Sequence, residues 1–300
     1  MVGSANMDLV GRSPRIPVPG ETVLGGDFRM IPGGKGANQA VAAARLGAEV
    51  CFVAKLGDDV FGRKLLRNFR QEGLDPTCVT LTLAAASGVA LITVDEAGNN
   101  AIVVAPGANA VLTPEDVGRA EAEIGSAGAV VTQLEVPVAV VRHTAELARR
   151  AKVPFLLDPA PAQELDAELL AMVAVLTPNE TEAQILTGVE VLDEASARRA
   201  ANRLLAMGVG AVILTMGAKG FLLAEGEEME FVPSMKVQAV DTTAAGDAFT
   251  GSLAVGLAQG RGLREAAAFA NRVAALSVTR IGAQPSMPTR EEVDGFVVPA

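Results

Sequence analysis

The sequence predicts an α/β fold: a mostly parallel central sheet with helices on both faces, plus a small β-sheet set apart from that body. Two patterns predict it. From about residue 109, short apolar runs without polar alternation are interleaved with helical stretches, as expected of parallel strands buried on both faces. Residues 9–32 and 88–105 break that rhythm, the first with four prolines and the second with two strand-like runs around a turn. Three hundred residues, half of them apolar and a fifth charged, make one large domain or a domain with an appendage, with ample material for a core.

Taken in order, only two residues precede Gly3, so the first body strand is expected to be short. Val89–Val94 and Ala101–Ala105 flank the turn Asp95–Asn100 and read as a hairpin, which with 9–32 predicts a small antiparallel sheet. Thr113-Pro114-Glu115-Asp116 offers an N-cap, a proline at the first helical position and an acid at the third, opening an amphipathic stretch to about Ile124. Strands are expected at 129–134, 153–157, 174–177 and 211–215. Helices are expected from Pro137 to about Lys152, from Pro178-Asn179-Glu180 onward, and over 193–207.

Composition excludes several classes. With 35 acids against 25 bases the formal charge is −10, which argues against a grip on nucleic acid by phosphate neutralisation. Two cysteines, Cys51 and Cys78, make neither a disulfide framework nor a metal cage, and fit a reducing compartment. One histidine, His143, removes mechanisms needing two imidazoles; it sits on a predicted helix beside Val141 and reads as structural. No apolar run reaches the ~20 residues of a membrane span, and the opening residues lack the pattern of a secretion signal, so a cytoplasmic protein without a membrane partner is expected.

Two segments combine glycine, polar groups and a helix start. Gly33-Gly34-Lys35-Gly36-Ala37-Asn38-Gln39 runs into the helical stretch Ala40–Leu46. It reads either as a plain strand-to-helix turn or as a backbone approach to a ligand; with Gly36 after Lys35 it is not a Walker A loop. Asp241-Thr242-Thr243-Ala244-Ala245-Gly246-Asp247 precedes helical sequence to about Gln259. Its small residues can expose successive N–H groups to an oxyanion, and Asp247 in the first turn either takes a proton from an attacking hydroxyl or merely complements the helix dipole.

These segments, with Gly3-Ser4-Ala5-Asn6-Met7-Asp8, Thr177-Pro178-Asn179-Glu180-Thr181-Glu182 and Thr279–Ser286, resemble in their order the signatures of the ribokinase family of carbohydrate kinases over nearly the whole chain. The resemblance implies the family's ribokinase-like fold, with a body of residues 1–8, 33–87 and 106–300 and a β lid of 9–32 and 88–105 that pairs subunits into a homodimer. It implies transfer of the γ-phosphate of ATP to the 5-hydroxyl of D-ribose, giving D-ribose 5-phosphate and ADP. Asp247 would be the base, and Ala244, Ala245 and Gly246 the anion hole. Sugar contacts implied are Asn6, Asp8, Gly34, Lys35, Gly36, Asn38 and Glu135. Nucleotide contacts implied are Asn179, Glu182, Thr215, Gly217, Ala218, Lys219, Gly220, Gly246 and Asn271, with Mg²⁺ on the phosphates. A K⁺ site maps to Asp241, Thr243, Ser277, Arg280, Gly282 and Ser286. A family member acting on another sugar or a nucleoside, and a non-catalytic binder on the same scaffold, are the alternatives. A dinucleotide-dependent oxidoreductase fails for want of G-x-G-x-x-G between a strand and a helix.

Overall fold

The computed structural model describes residues 1–297; residues 298–300, which end the segment 106–300 assigned above to the body, lie outside the described residues. In chain order the first elements are β1 (Asn6–Arg12), β2 (Phe28–Gly33), α1 (Lys35–Arg45), β3 (Ala54–Gly57), α2 (Val60–Gln71), β4 (Val79–Thr82), β5 (Gly88–Val94) and β6 (Asn100–Ala105). Then follow α3 (Pro114–Gly118), α4 (Glu121–Ser126), β7 (Val130–Thr132), α5 (Val138–Ala151), β8 (Phe155–Leu157), α6 (Ala167–Leu170), β9 (Val175–Leu176), α7 (Glu180–Thr187) and α8 (Glu194–Ala206). The chain closes with β10 (Ala211–Thr215), β11 (Gly220–Glu225), β12 (Glu228–Pro233), α9 (Ala245–Ala258), α10 (Leu263–Ser277) and α11 (Arg290–Gly295).

The body sheet runs β12-β11-β10-β9-β8-β7, parallel from β7 to β10 and antiparallel beyond. It continues past β7 through single bridges: the Val2 N–H donates to Val131 O, Val53 N–H to Met1 O and Gly3 N–H to Val53 O, so the first body strand is reduced to the Val2–Val53 contact. Alternate strand residues face opposite layers. Val131, Leu156, Val175, Ile213 and Phe221 pack on Phe249, Leu253 and Ala266 of α9 and α10. Val130, Phe155, Leu157, Leu176, Val212 and Leu214 pack on the layer that includes α5 and α8. The helices thus cover both faces, and each face is held by burial at about 1.5–3 kcal/mol per large side chain.

The second sheet corrects one expectation. Its order is β2-β1-β5-β6, and its outer pairs are antiparallel, but the central pair β1·β5 is parallel, so the sheet is mixed. The reason is topological: β1 enters this sheet directly from the body at Asn6, and β5 returns from the body in the same direction. β1 therefore begins inside the segment 1–8 assigned to the body. Asn6 and Asp8 share one face of this sheet with their register partners Gly88 and Ala90, whose small side chains leave room beside them. A further expectation changes at 114–124, where one predicted helix is two, α3 and α4, broken at Arg119-Ala120 after the poor helix former Gly118. Thr113 and Asp116 make the predicted reciprocal cap. The thiols of Cys51 and Cys78 touch at 2.7 Å, and burial followed by that contact pushes Cys51 up to about 12. Among the described residues no helix is long and apolar enough to cross a membrane.

Candidate active site

Polar side chains converge at the carboxyl ends of the parallel strands, where open α/β sheets leave a crevice. Glu135 follows β7, Asp158 follows β8, Asn179 follows β9 and Thr215 ends β10. The N-termini of α1, α7 and α9 point into the same region. β1 brings Asn6 and Asp8 from the second sheet.

The start of α1 depends on Gly34, whose φ of +88° and ψ of +131° lie where only glycine is comfortable. A Cβ there would stand 2.7 Å from the Asn6 nitrogen and 2.8 Å from Ala5 Cα. With β1 pressed this closely on the turn, Lys35 N–H donates to Glu135 Oε2 at 3.0 Å, and the Ser4 hydroxyl donates to the same oxygen at 2.5 Å. Glu135, distant in sequence, thus holds the amino end of α1. Asn6 is held by Asn109, whose Nδ2 donates to Asn6 Oδ1 at 2.7 Å while its Oδ1 accepts from Ala5 N–H at 2.9 Å.

Asp247 lies in the first turn of α9 and is 4 % exposed. α9 reaches α1 closely because Gly251 leaves space: a Cβ there would meet Gln39 O at 2.6 Å. That contact sets the Asp247 carboxylate against α1, where Asn38 Nδ2 donates to Oδ2 at 2.9 Å and Gln39 Nε2 to Oδ1 at 3.2 Å. Ala244, just before the helix, has a left-handed backbone at φ +60°, a conformation that costs a residue with a Cβ about 1 kcal/mol or more. No side chain caps α9: the Ala245 N–H turns back to Thr242 O at 3.2 Å, which leaves the N–H groups of Gly246 and Asp247 open to an external acceptor, and a Cβ at Gly246 would meet nothing within 4 Å. Donors, open space and a buried carboxylate are adjacent here.

The electrostatics follow from burial. Asp247 is pushed above its ordinary value by burial; Lys35 and the Asn38 amide pull it back, Glu135 pushes it up, and the balance stays raised. Asp8 is driven to about 7 by burial, then by Glu135 and Asp247. Asp158 is driven to about 8 by burial against the pull of Lys35, with the charges of Asp247 and Glu182 adding to the rise. Burial alone would lower Lys35, but Asp247, Asp158, Glu135 and Glu182 outweigh it and hold the ammonium charged.

The nucleotide residues implied by resemblance divide into two groups. Asn179 and Glu182 form a reciprocal cap on α7, with Asn179 N–H donating to Glu182 Oε2 at 2.8 Å and Glu182 N–H to Asn179 Oδ1 at 2.9 Å. In this structure the pair is thus a capping box. Glu182 is nevertheless buried and raised by that burial, close enough to feel Lys35 and Asp247. The turn Gly217–Lys219 leads from β10 into Gly220, and Thr215 bridges Asn179. By contrast, Lys219 Nζ donates to Leu192 O and Asn271 Nδ2 to Pro233 O, so both side chains are engaged with carbonyls outside the carboxylate cluster. The loops at 241–243 and 277–286 do meet: Asp241 Oδ2 accepts from Gly282 N–H at 2.8 Å, and Val240 N–H donates to Val278 O at 2.7 Å. Ser277 and Ser286 are buried beneath, while the Arg280 guanidinium is spent on Glu292. His143 lies on the surface of α5, 3.9 Å from Glu146, and takes no part.

Against known proteins, the profile of the pfkB family carbohydrate kinases matches residues 1–290. The chain belongs to this family. It is a sugar kinase, a phosphotransferase with a carbohydrate acceptor. It is 43 % identical over 297 residues to a ribokinase of Haemophilus influenzae, covering 99 % of this chain and 97 % of that one. It is 39 % identical over 298 residues to a deoxyribokinase of Salmonella typhi, covering 99 % and 97 %. An Arabidopsis thaliana ribokinase solved with ribose and ATP superposes with a TM-score of 0.91 at 33 % identity, covering 99 % of this chain and 98 % of that one.

Sequence reasoning passed over four residues that the fold places here: Ser4, Gln39, Asn109 and Asp158. Asp158 carried a readable signal, an acid at the carboxyl end of a predicted parallel strand. Gln39 and Ser4 stood inside the quoted segments without a role. Nothing local marks Asn109, whose partners Ala5 and Asn6 lie about a hundred residues away.

Proposed function

We propose that this sugar kinase transfers the γ-phosphate of ATP to the 5-hydroxyl of D-ribose, with Asp247 as the base. The observation that carries the reading is the placement of one buried carboxylate, held by two amides, at the foot of an uncapped helix whose small first-turn residues leave open space. The full-length similarity to ribokinases supports ribose as the acceptor, and the deoxyribokinase relatives make 2-deoxyribose the competitor to test.

The sugar is bound between Asn6 and Asp8 above and Lys35, Asn38 and Glu135 below. Carboxylates and amides suit a polyol because each takes two hydroxyls and leaves a buried group unpaired when one is missing. The Asn38 Oδ1 atom is buried with no partner among the described residues, and a sugar hydroxyl would supply one. Asp247 takes the proton from the 5-hydroxyl as that oxygen attacks phosphorus. The N–H groups at Ala244, Ala245 and Gly246 receive the charge gathering on the transferred phosphoryl oxygens, Ala245 giving up its bond to Thr242 O to do so, the electrostatic share of phosphoryl transfer. A site with four carboxylates around one lysine repels a polyphosphate unless cations come with it. Among the described residues no three acids, histidines or cysteines cluster to hold a metal by themselves, which fits Mg²⁺ carried on the phosphates and reached by Glu182 and Asn179 through water. Mg²⁺ neutralises phosphate charge when bound.

Asp241 fits a K⁺ site: burial would raise it, but Thr243 and the Gly282 N–H hold it below its ordinary value, so an anionic oxygen stands where two loops meet. K⁺ there would stiffen the loop that leads into Ala244–Gly246 without entering the chemistry. The lid sheet supports a homodimer: Phe28, Met30, Leu91 and Val103 lie exposed on one face, and β6 is exposed along its whole length.

One assay tests the reading. ADP release is measured at fixed ATP with ribose, 2-deoxyribose, other pentoses and nucleosides, first in K⁺ and then in tetramethylammonium. Ribose is expected to give the highest kcat/KM, and removal of K⁺ to lower it at least tenfold with the melting temperature little changed. A nucleoside preferred over every free sugar overturns the substrate assignment, and equal rates in both cations make the 277–286 loop a structural return.

A further inference from the structure

Gln39 is wholly buried and follows Asn38 on α1. Its amide is fully used. Nε2 donates to Asp158 Oδ2 at 2.7 Å and to Asp247 Oδ1 at 3.2 Å, and Oε1 accepts from Gln133 Nε2 at 2.5 Å. Turning the amide over would set Oε1 against oxygens of Asp158 and Asp247, so these two contacts favour the orientation observed. With no exposed surface, Gln39 cannot touch a substrate, and Asp158, also buried, is linked by hydrogen bonds to Asp247 through it while feeling that group's charge directly.

We propose that Gln39 and Asp158 are positioning residues for the phosphoryl transfer: Asp158 holds the Gln39 amide with its N–H pair turned toward Asp247, and that donor fixes the base in the orientation that accepts the sugar proton. The proposal rests on the reading of Asp247 as the base. Asn38 holds Oδ2 of the base from the sugar side, and Gln39 holds Oδ1 from the interior, so the carboxylate cannot rotate about its Cβ–Cγ bond without losing one of them. The Gln39 donor also favours the ionised form. The charged groups facing the base are Lys35 on α1, Glu135 after β7, Asp158 after β8, Asp8 on β1 and Glu182 on α7, and of these only Lys35 is positive. Loss of the interior donor therefore leaves the proton on Asp247 to higher pH.

The test uses the full chain with ATP and ribose. Gln39→Met keeps the length of the side chain and removes its hydrogen bonds; Asp158→Leu removes the acceptor that orients Gln39. Each is expected to lower kcat about 10- to 100-fold, the worth of one hydrogen bond to a charged group, with the sugar KM within about threefold. In Gln39→Met the acidic limb of the kcat/KM profile should move up by about one pH unit, a shift that a purely structural role would not produce; in Asp158→Leu the lost donor orientation and the lost negative charge act in opposite directions on the limb, so that variant is read by kcat. Asp158→Asn keeps an oxygen for Gln39 and is expected to recover about tenfold of what Asp158→Leu loses. Wild-type kcat and an unmoved limb in Gln39→Met overturn the proposal, as does a raised KM at unchanged kcat, or Asp158→Asn no better than Asp158→Leu. Should Gln39→Met fail to give a cooperative melting curve, the two Asp158 variants decide. A wild-type enzyme inactive on ribose contradicts the substrate assignment instead, and the same comparison is then made on the sugar it does phosphorylate.

Discussion

Asp247→Ala is expected to lower turnover by about 10³- to 10⁴-fold, with ribose bound within about threefold of the wild-type affinity. The two effects separate because the sugar is held chiefly by other elements: Asn6 and Asp8 come from β1, Lys35 and Asn38 from α1, and Glu135 from the end of β7. Only the proton transfer depends on the carboxylate itself. Sugar-dependent ADP release measures the first effect and titration calorimetry with ribose the second. Equal turnover in the variant would remove Asp247 from the chemistry. The wild-type pH profile has a direction too: since burial holds Asp247 above its ordinary value, activity should fall on acidification at a pH above the usual aspartate range.

Gly34→Ala is expected to damage binding instead of chemistry. The added Cβ would lie 2.7, 2.8 and 3.0 Å from backbone atoms of Asn6 and Ala5, none of which can move away as a side-chain tip would. The backbone at φ +88° adds strain of about 1–3 kcal/mol. The turn and β1 must part, carrying Asn6 and Asp8 away from Lys35 and Asn38. We expect the ribose KM to rise at least tenfold and the melting temperature to fall by several degrees, at about 2–4 °C per kcal/mol for a large domain. A variant with wild-type KM and melting temperature would mean that the close approach of β1 to α1 does not shape the sugar site.

Much of this was legible in the chain, for reasons that differ by region. β10 matches its predicted span residue for residue, because an unbroken apolar run between helices leaves little choice of register. The cap at Thr113 was readable because a capping box is a local contact three residues long, and the same contact forms at Asn179 and Asp193. The parallel pairing of β1 with β5 was not readable. A hairpin signal reports neighbours in sequence, and β1 meets β5 across about eighty residues. The site divides along the same line. Asp247 and the small residues before it announce themselves within seven positions, whereas Gln39 gains meaning only when Gly251 lets α9 close on α1 and β8 brings up Asp158. Lys219, Asn271 and Arg280 show the converse, since their side chains take carbonyl or carboxylate partners in the fold that no local pattern specifies.

The most direct measurement is a crystal structure of the full chain with ribose and a non-hydrolysable ATP analogue. The terminal sugar oxygen should lie within about 2.6–3.2 Å of an Asp247 carboxylate oxygen and in line with the terminal phosphorus, with first-turn amides of α9 on the phosphoryl oxygens. A pentose seated in the crevice with that oxygen beyond about 5 Å of Asp247, turned toward another side chain, would contradict the assignment of the base.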